Sequence, residues 1–377
     1  MRPLLRSFLL SLVAPALAAA QAGGFVTMLG KDTILVERYE RSLNRIEGQI
    51  VRRSPQTTIL RYALTFQADG SIASYEQSVL RPDGSAAPNS APQRMTFTAD
   101  SVIRTLTQNG QPTTLRSAAP IGTLPTISGS ALISELAVAT ARRHGAAHQI
   151  GFGAQQAAPT RMDIRFIGAD TAEIVLGGFR TGLKLGASGE LLRSDGSLTT
   201  QKFIITPAPT ANIGTIASGW AARDAAGQAL GAASTRDTLR ATIGGATVTI
   251  DYGRPAARGR EIWGKLVPFD TTWRFGANAA TQLTTDKDLV IGGQPVPAGK
   301  YTLFLYPTAT AAWLIVNKQT GQWGTAYDAA QDLVRIPLQL HMNLRESEER
   351  FRIFLAGETL MMHWDRGGYG VKVEARP

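Results

Sequence analysis

The stretch TTILRYALTFQADG, residues 57–70, decides how the first half of the chain is read. Apolar and polar residues alternate from Thr57 to Phe66, which gives an extended strand one apolar side. Ala68-Asp69-Gly70 then supplies a tight turn, because Asp and Gly accept positive φ. The same pairing recurs outward from this point. Ile34 to Arg38 alternates in the same way. Turn signals stand at Pro82-Asp83-Gly84, Asn109-Gly110, Ala187-Ser188-Gly189 and Ser194-Asp195-Gly196. Strand, turn, strand over residues 25–206 predicts an antiparallel meander. The Pro-, Ser- and Ala-rich stretch Arg81 to Arg94 reads as an exposed loop.

One segment breaks the β pattern. From Ser130 to His144, Leu132, Ile133, Leu136 and Ala139 or Thr140 follow helical spacing. Arg142, Arg143 and His144 sit where cations suit the helix dipole, and Gly145 can cap the end. A long meander with one apolar helix has two solutions. The sheet wraps the helix as a half-barrel, with the look of the bacterial lipoprotein-carrier fold, or the helix plugs a closed barrel. Neither solution fixes a function.

The start of the chain reads as an export signal, residues 1–22. Arg2 and Arg6 precede an apolar run from Ser7 to Ala20, too short for the about 20 residues that span a bilayer. Ala18-Ala19-Ala20 and Ala20-Gln21-Ala22 both fit an A-x-A cleavage pattern. This predicts a periplasmic or secreted protein with no transmembrane segment after signal removal. The chain has no cysteine, so disulfides, lipidation at an N-terminal Cys, thiolate catalysis and Cys-ligated metal are excluded. The core must hold the fold. The net charge of +10 becomes +8 without Arg2 and Arg6, and the basic residues are interspersed with acids. A nucleic-acid partner is therefore not expected. A modest positive field favours retention near anionic envelope polymers.

Residues 207–237 are rich in Ala, Gly, Ser and Thr and read as a linker, with Trp220 its only large anchor and a short hairpin at Ala225-Ala226-Gly227. A second β-rich block, residues 238–377, follows. Its strands are expected at Leu239–Ile243, Ala246–Ile250, Ala280–Thr285, Lys300–Tyr306, Ala312–Asn317, Leu333–Leu340, Arg350–Leu355, Glu358–Trp364 and Val371–Glu374. Gly244-Gly245 and Gly292-Gly293 mark hairpins. Many short strands with little helix predict a β-sandwich. The whole chain is thus mainly β: an antiparallel half-barrel or barrel with one helix, then a sandwich.

The second block carries distinctive motifs in order: Asp251-Tyr252-Gly253-Arg254-Pro255, Arg258-Gly259-Arg260, Trp263-Gly264-Lys265-Leu266-Val267-Pro268 and Trp273-Arg274-Phe275-Gly276-Ala277-Asn278. They continue with Thr281, Pro297-Ala298-Gly299-Lys300-Tyr301-Thr302-Leu303, Trp313 to Asn317 and Gly321-Gln322-Trp323-Gly324. Over residues 238–377 it resembles the bacterial family called domain of unknown function 2911. The resemblance implies an exported β domain and supplies no activity. Many members carry Glu after the Gly-Ala-Asn, where this chain has Ala279, so a mechanism that needs a carboxylate there is not expected.

No G-x-S-x-G elbow, P-loop, H-E-x-x-H or complete G-x-G-x-x-G occurs. His144 and His148 are four apart, but Gly145 ends the helix between them. His363 reads as a strand residue. Asp286 and Asp288 could pair for acid–base work or cation binding, although turn chemistry explains them. No cofactor is implied. The better cluster is Arg254, Arg258, Arg260, Trp273, Arg274 and Asn278. Guanidinium forks suit carboxylate or phosphate, Asn offers donor and acceptor, and Trp stacks on a sugar face. A scaffold of ion pairs and core tryptophan is the competing account of the same residues. The reading favoured is a non-catalytic envelope protein that binds a polar ligand, a glycan or a carboxylate-bearing envelope polymer, through this cluster. A hydrolase with an unrecognised acid/base pair, and a carrier of lipid or another apolar ligand in the first domain, are the alternatives.

Overall fold

The computed structural model describes residues 21–376, apart from 89, 109–110, 121, 145–147, 153–159, 177–178 and 200. Nearly all of the expected signal segment, the Asn109-Gly110 turn and the Gly145 cap lie outside these residues.

The meander expected from residues 57–70 is one sheet of fifteen strands among the described residues, antiparallel except for the last pair, where His148–Phe152 runs parallel to Leu124–Pro125. Strand Thr58–Phe66 pairs with Arg45–Arg52 on one side and Ile72–Leu80 on the other. The turn between Thr58–Phe66 and Ile72–Leu80 is built as its residues demand. Gly70 has φ +79°, and the Asp69 carboxylate accepts from the Ser71 amide at 2.8 Å. The sheet runs from Gln111–Ala118 at one end to Leu124–Pro125 at the other, with Gln21–Leu29 and Phe203–Pro207 adjacent in its middle. Those two ends are not paired with each other among the described residues, so the sheet is an open half-barrel.

Helix α1 (Leu132–His144) fills one face of this sheet. Leu132, Leu136, Ala137, Val138 and Ala141 pack with Ile46, Ile50, Leu60, Leu64, Tyr75 and Leu183 in one cluster. Its start is held by a residue from another strand. The buried Glu37 carboxylate accepts from the Ala131 and Leu132 amides at 2.7 and 3.2 Å, and from the Ser130 and Tyr62 hydroxyls at 2.5 and 2.8 Å. These bonds satisfy amide groups that a helix start leaves free. Burial still outweighs them and raises the Glu37 pKa.

The other face carries helix α2 (Ile213–Ala225), in the segment expected as a linker. Ile213, Ala217 and Trp220 recur at helical spacing and pack on Val36, Val51 and Ile59. The Asn212 side chain caps the start by accepting from the Thr215 amide at 3.0 Å. The Ala- and Ser-rich composition that suggested a connector also suits a helix. Trp220 is indeed its anchor, worth roughly 1.5–3 kcal/mol on the scale for a large apolar side chain. No helix among the described residues is long and apolar enough to cross a membrane.

The second block is two sheets around one core. The first runs in the order Ser234–Ile243, Ala246–Pro255, Thr281–Thr285, Gly299–Pro307, Ala312–Asn317, Asp332–Pro337. The second runs Gln294–Val296, Leu289–Ile291, Gly367–Ala375, Thr359–Asp365, Glu348–Ala356, and Gln339–Met342 also pairs with Gly367–Ala375. Ile250, Leu283, Leu303 and Leu314 from one face Ile353, Leu360, Met362 and Val371 from the other. Gly244-Gly245 and Gly292-Gly293 form their hairpins with positive φ at both residues of each pair. The run expected as one strand, Leu333–Leu340, divides after Pro337, and its two parts join different sheets.

Candidate functional site

A cavity of about 900 Å³ lies where the half-barrel meets the sandwich. Leu29, Gln201, Lys202 and Phe203 come from the first domain, and Arg260, Trp273, Arg274, Asn278, Trp323 and Tyr327 from the second. Three cations, Lys202, Arg260 and Arg274, line it. None of the lining residues is Asp, Glu or His.

Backbone geometry places Arg274. Trp273 bridges to Leu305 through two backbone bonds of 2.7 and 2.8 Å. The chain then turns sharply: Phe275 and Asn278 have φ +53° and +64°. Phe275 is buried, and its carbonyl accepts from the Thr281 hydroxyl at 2.6 Å. Gly253 makes room for the turn, since a Cβ there would stand 2.1 Å from the Ala277 carbonyl oxygen. The two motifs Tyr252-Gly253 and Phe275-Gly276-Ala277 are thus one packing unit. Trp273 stacks on Trp364 with ring centroids 5.9 Å apart and meets Phe351 edge-on at 5.3 Å. Arg274 lies over Gly324, whose amide donates to the Asn278 carbonyl at 3.0 Å.

Arg274 has no hydrogen-bond or ion-pair partner among the described residues, and its Nε is buried. Burial alone lowers its pKa. The Trp364 indole N–H, on the same wall, is also buried without a partner. Arg260 is tethered: Nε donates to the Ala257 carbonyl at 2.9 Å, and the terminal nitrogens to the carbonyls of Ala256 at 2.6 Å and Gln201 at 3.4 Å. Burial, then repulsion from Arg258, pushes its pKa to about 10, which leaves it a cation at neutral pH. Lys202, at φ +59°, reaches the Ser197 carbonyl at 2.7 Å. Its pKa is lowered by burial and by Arg260. Three cations with no acid among the lining residues make a site that favours an anion.

The structure brings together four of the six residues that sequence reasoning singled out: Arg260, Trp273, Arg274 and Asn278. Arg254 and Arg258 do not line the cavity. Arg254 pairs with Asp237 at 3.1 Å and donates to the Phe351 carbonyl at 3.1 Å. Arg258 is buried and joins the domains, with Asp32 at 3.3 Å and the Leu230 and Gly231 carbonyls at 3.1 and 3.2 Å. The scaffold account therefore holds for these two. Lys202 and Trp323 were missed. Trp323 sits in a quoted motif beside Gly324, which was its signal. Lys202 comes from the other domain and had none.

The remaining candidates are structural or lie elsewhere. Asp286 accepts from the Thr247 amide at 2.6 Å and Asp288 from the Ala298 amide at 2.8 Å, as turn chemistry requires. The side chains of His144 and His148 lie outside the described residues. A larger hollow of about 1120 Å³ on the α2 face of the half-barrel sets Arg38, Arg61 and Arg94 against Glu40, Glu47 and Glu76, so its charges balance. The opposite face is packed by α1 beside Leu132 and Leu136, where a carried lipid would have to sit.

Residues 234–373 match the family described as Protein of unknown function (DUF2911). No curated protein matches the chain. A crystal structure of a DUF1089 family protein from Pseudomonas aeruginosa is similar at 14% identity over 43% of this chain and 90% of its own, with a TM-score of 0.32.

Proposed function

We propose that the protein is an exported, non-catalytic binding protein of the bacterial envelope that holds a carboxylate-bearing glycan in the cavity between its two domains. The observation that carries this is Arg274: a half-buried guanidinium without a partner among the described residues, in a cavity lined by two more cations and no acid. A ligand carboxylate gives Arg274 a charge-assisted, bidentate partner and offsets the positive charge of Lys202 and Arg260. Trp273, Trp323 and Tyr327 line the cavity, and the exposed Trp323 offers a ring on which sugar C–H groups pack. A cavity of this size accepts a few sugar units. Export supplies the location, because acidic polymers are a component of the cell envelope.

Calorimetric titration with oligomers of uronic acid, and with neutral oligomers of the same length, tests this. The acidic oligomers are expected to bind, and their affinity to fall as salt rises. Equal affinity for the neutral oligomers, or no binding of either, would contradict the reading.

A further inference from the structure

The outer face of the second sandwich sheet carries a cluster unrelated to the glycan cavity. On strand Gly367–Ala375, Tyr369, Val371 and Val373 point into the core, so Gly368 and Gly370 leave a bare strip on the opposite side. His341 and His363 stand opposite Gly368 on the two flanking strands, and Met361 stands opposite Gly370. All three side chains lean over the strip. A Cβ on Gly370 would stand 2.7 Å from Met361 Sδ and 3.2 Å from His341 Nε2, so sulfur and nitrogen are at most 5.9 Å apart (2.7 + 3.2). A Cβ on Gly368 would stand 2.4 Å from His363 Cδ2 and 3.3 Å from its Nε2. Any other residue at these two positions would push the rings away.

Both imidazole Nε2 atoms are buried and have no hydrogen-bond partner. Two unpartnered buried nitrogens beside a thioether are unusual for a sheet surface. Phe354 packs edge-on against His363 at 5.0 Å and fixes its ring.

We infer that His341, His363 and Met361 form a copper site, selective for Cu(I). The donor set is two imidazoles and a thioether, with no thiolate or carboxylate. Soft thioether donors select Cu(I); calcium and magnesium sites use oxygen ligands, and zinc, which also takes imidazole, does not use a thioether. Cu(I) also carries a single charge, which costs less here than a dication. The nearby Arg352 and Lys372 are cationic and already engaged, Arg352 with Glu348 at 3.8 Å and Lys372 with Glu374 at 2.7 Å.

Anaerobic titration of the untagged, metal-free protein with Cu(I) against a chromophoric chelator tests the site. One equivalent is expected to bind, with X-ray absorption showing imidazole nitrogen and one sulfur around the metal. His341→Gln and His363→Gln are each expected to weaken binding by at least about tenfold. Met361→Leu keeps the volume, so the fold is retained while the sulfur signal is lost. Arg274→Ala, in the glycan cavity, leaves Cu(I) affinity unchanged. Failure to hold Cu(I) against the chelator, binding that survives all three substitutions, or a preference for Zn(II) would overturn the inference. If a His variant unfolds, the sulfur signal in Met361→Leu decides by itself.

Discussion

Gly324 lies so close under Arg274 that a Cβ on residue 324 would stand 2.3 Å from Arg274 Cδ and 2.8 Å from its Cβ. The guanidinium is therefore aimed by a backbone, not by an acid. Gly324→Ala is expected to displace it. Glycan affinity should fall by about tenfold, the equivalent of roughly 1.4 kcal/mol. Overpacking should cost ~1–3 kcal/mol of stability. Adding Arg274→Ala to Gly324→Ala should restore part of that stability, since the displaced stem is gone. Chemical denaturation of the single and double variants measures this. Strictly additive losses would show that the two residues do not press on each other.

Two arginines from the same candidate cluster, Arg258 and Arg254, should behave in the opposite way to Arg274. Removing Arg258 strands the Asp32 carboxylate and two backbone carbonyls at the domain junction. Arg258→Ala is expected to lower stability by about 3–5 kcal/mol, as for a broken buried pair. Arg254 and Asp237 are both partly exposed, so Arg254→Ala should cost about 1 kcal/mol or less from the ion pair. Thermal denaturation of both variants checks the order. A larger loss for Arg254→Ala would mean that the domain junction does not depend on Arg258.

Such contrasts mark what a sequence can and cannot reveal. Alternation in residues 57–70 and paired glycines at 244–245 and 292–293 specify local backbone, and the sheets follow from them. The cavity needs tertiary knowledge. Arg254, Arg258 and Arg260 sit two and four residues apart in a basic stretch, yet only Arg260 reaches the cavity. Which one does so depends on Asp237 and Asp32, from distant strands. Lys202 enters from the other domain. Glu37 caps α1 from a separation of over ninety residues. Helix α2 was legible in the spacing of Ile213, Ala217 and Trp220, but Ala- and Ser-rich composition pointed to a connector.

Buried Glu37 predicts an unusual pH dependence. Its folded pKa is raised above the ordinary 4.5, chiefly by burial. The folded state thus holds this proton more tightly than the unfolded chain. Stability from this group is greatest below the unfolded value and declines as pH rises through the raised folded value, at up to roughly 1.4 kcal/mol per pH unit. The wild type should therefore gain on Glu37→Gln as pH is lowered from neutrality toward the ordinary carboxylate range. Denaturation midpoints of both proteins over that range test this. A difference that is flat, or that shrinks on acidification, would contradict it.

Export with cleavage after Ala20 or Ala22 predicts a mature chain starting at Gln21 or Gly23. The Gln21–Leu29 strand then begins at or near the new terminus. Mass spectrometry of the protein from envelope or culture fractions of its host reads the terminus directly. An intact Met1 in the cytosolic fraction would overturn the expectation.

The central claim is that Arg274 serves a ligand and not the fold. The most direct measurement is the affinity of a uronic-acid oligomer for wild type, Arg274→Lys and Arg274→Ala, taken with the stability of each. Lysine keeps the charge but loses the planar fork, so Arg274→Lys should bind more weakly and Arg274→Ala should not bind. Stability should stay within about 0.5 kcal/mol of wild type or rise, because an unpartnered, half-buried cation is removed. Oligomer binding that is unchanged in a clearly destabilised Arg274→Ala protein would contradict the claim and make Arg274 part of the scaffold.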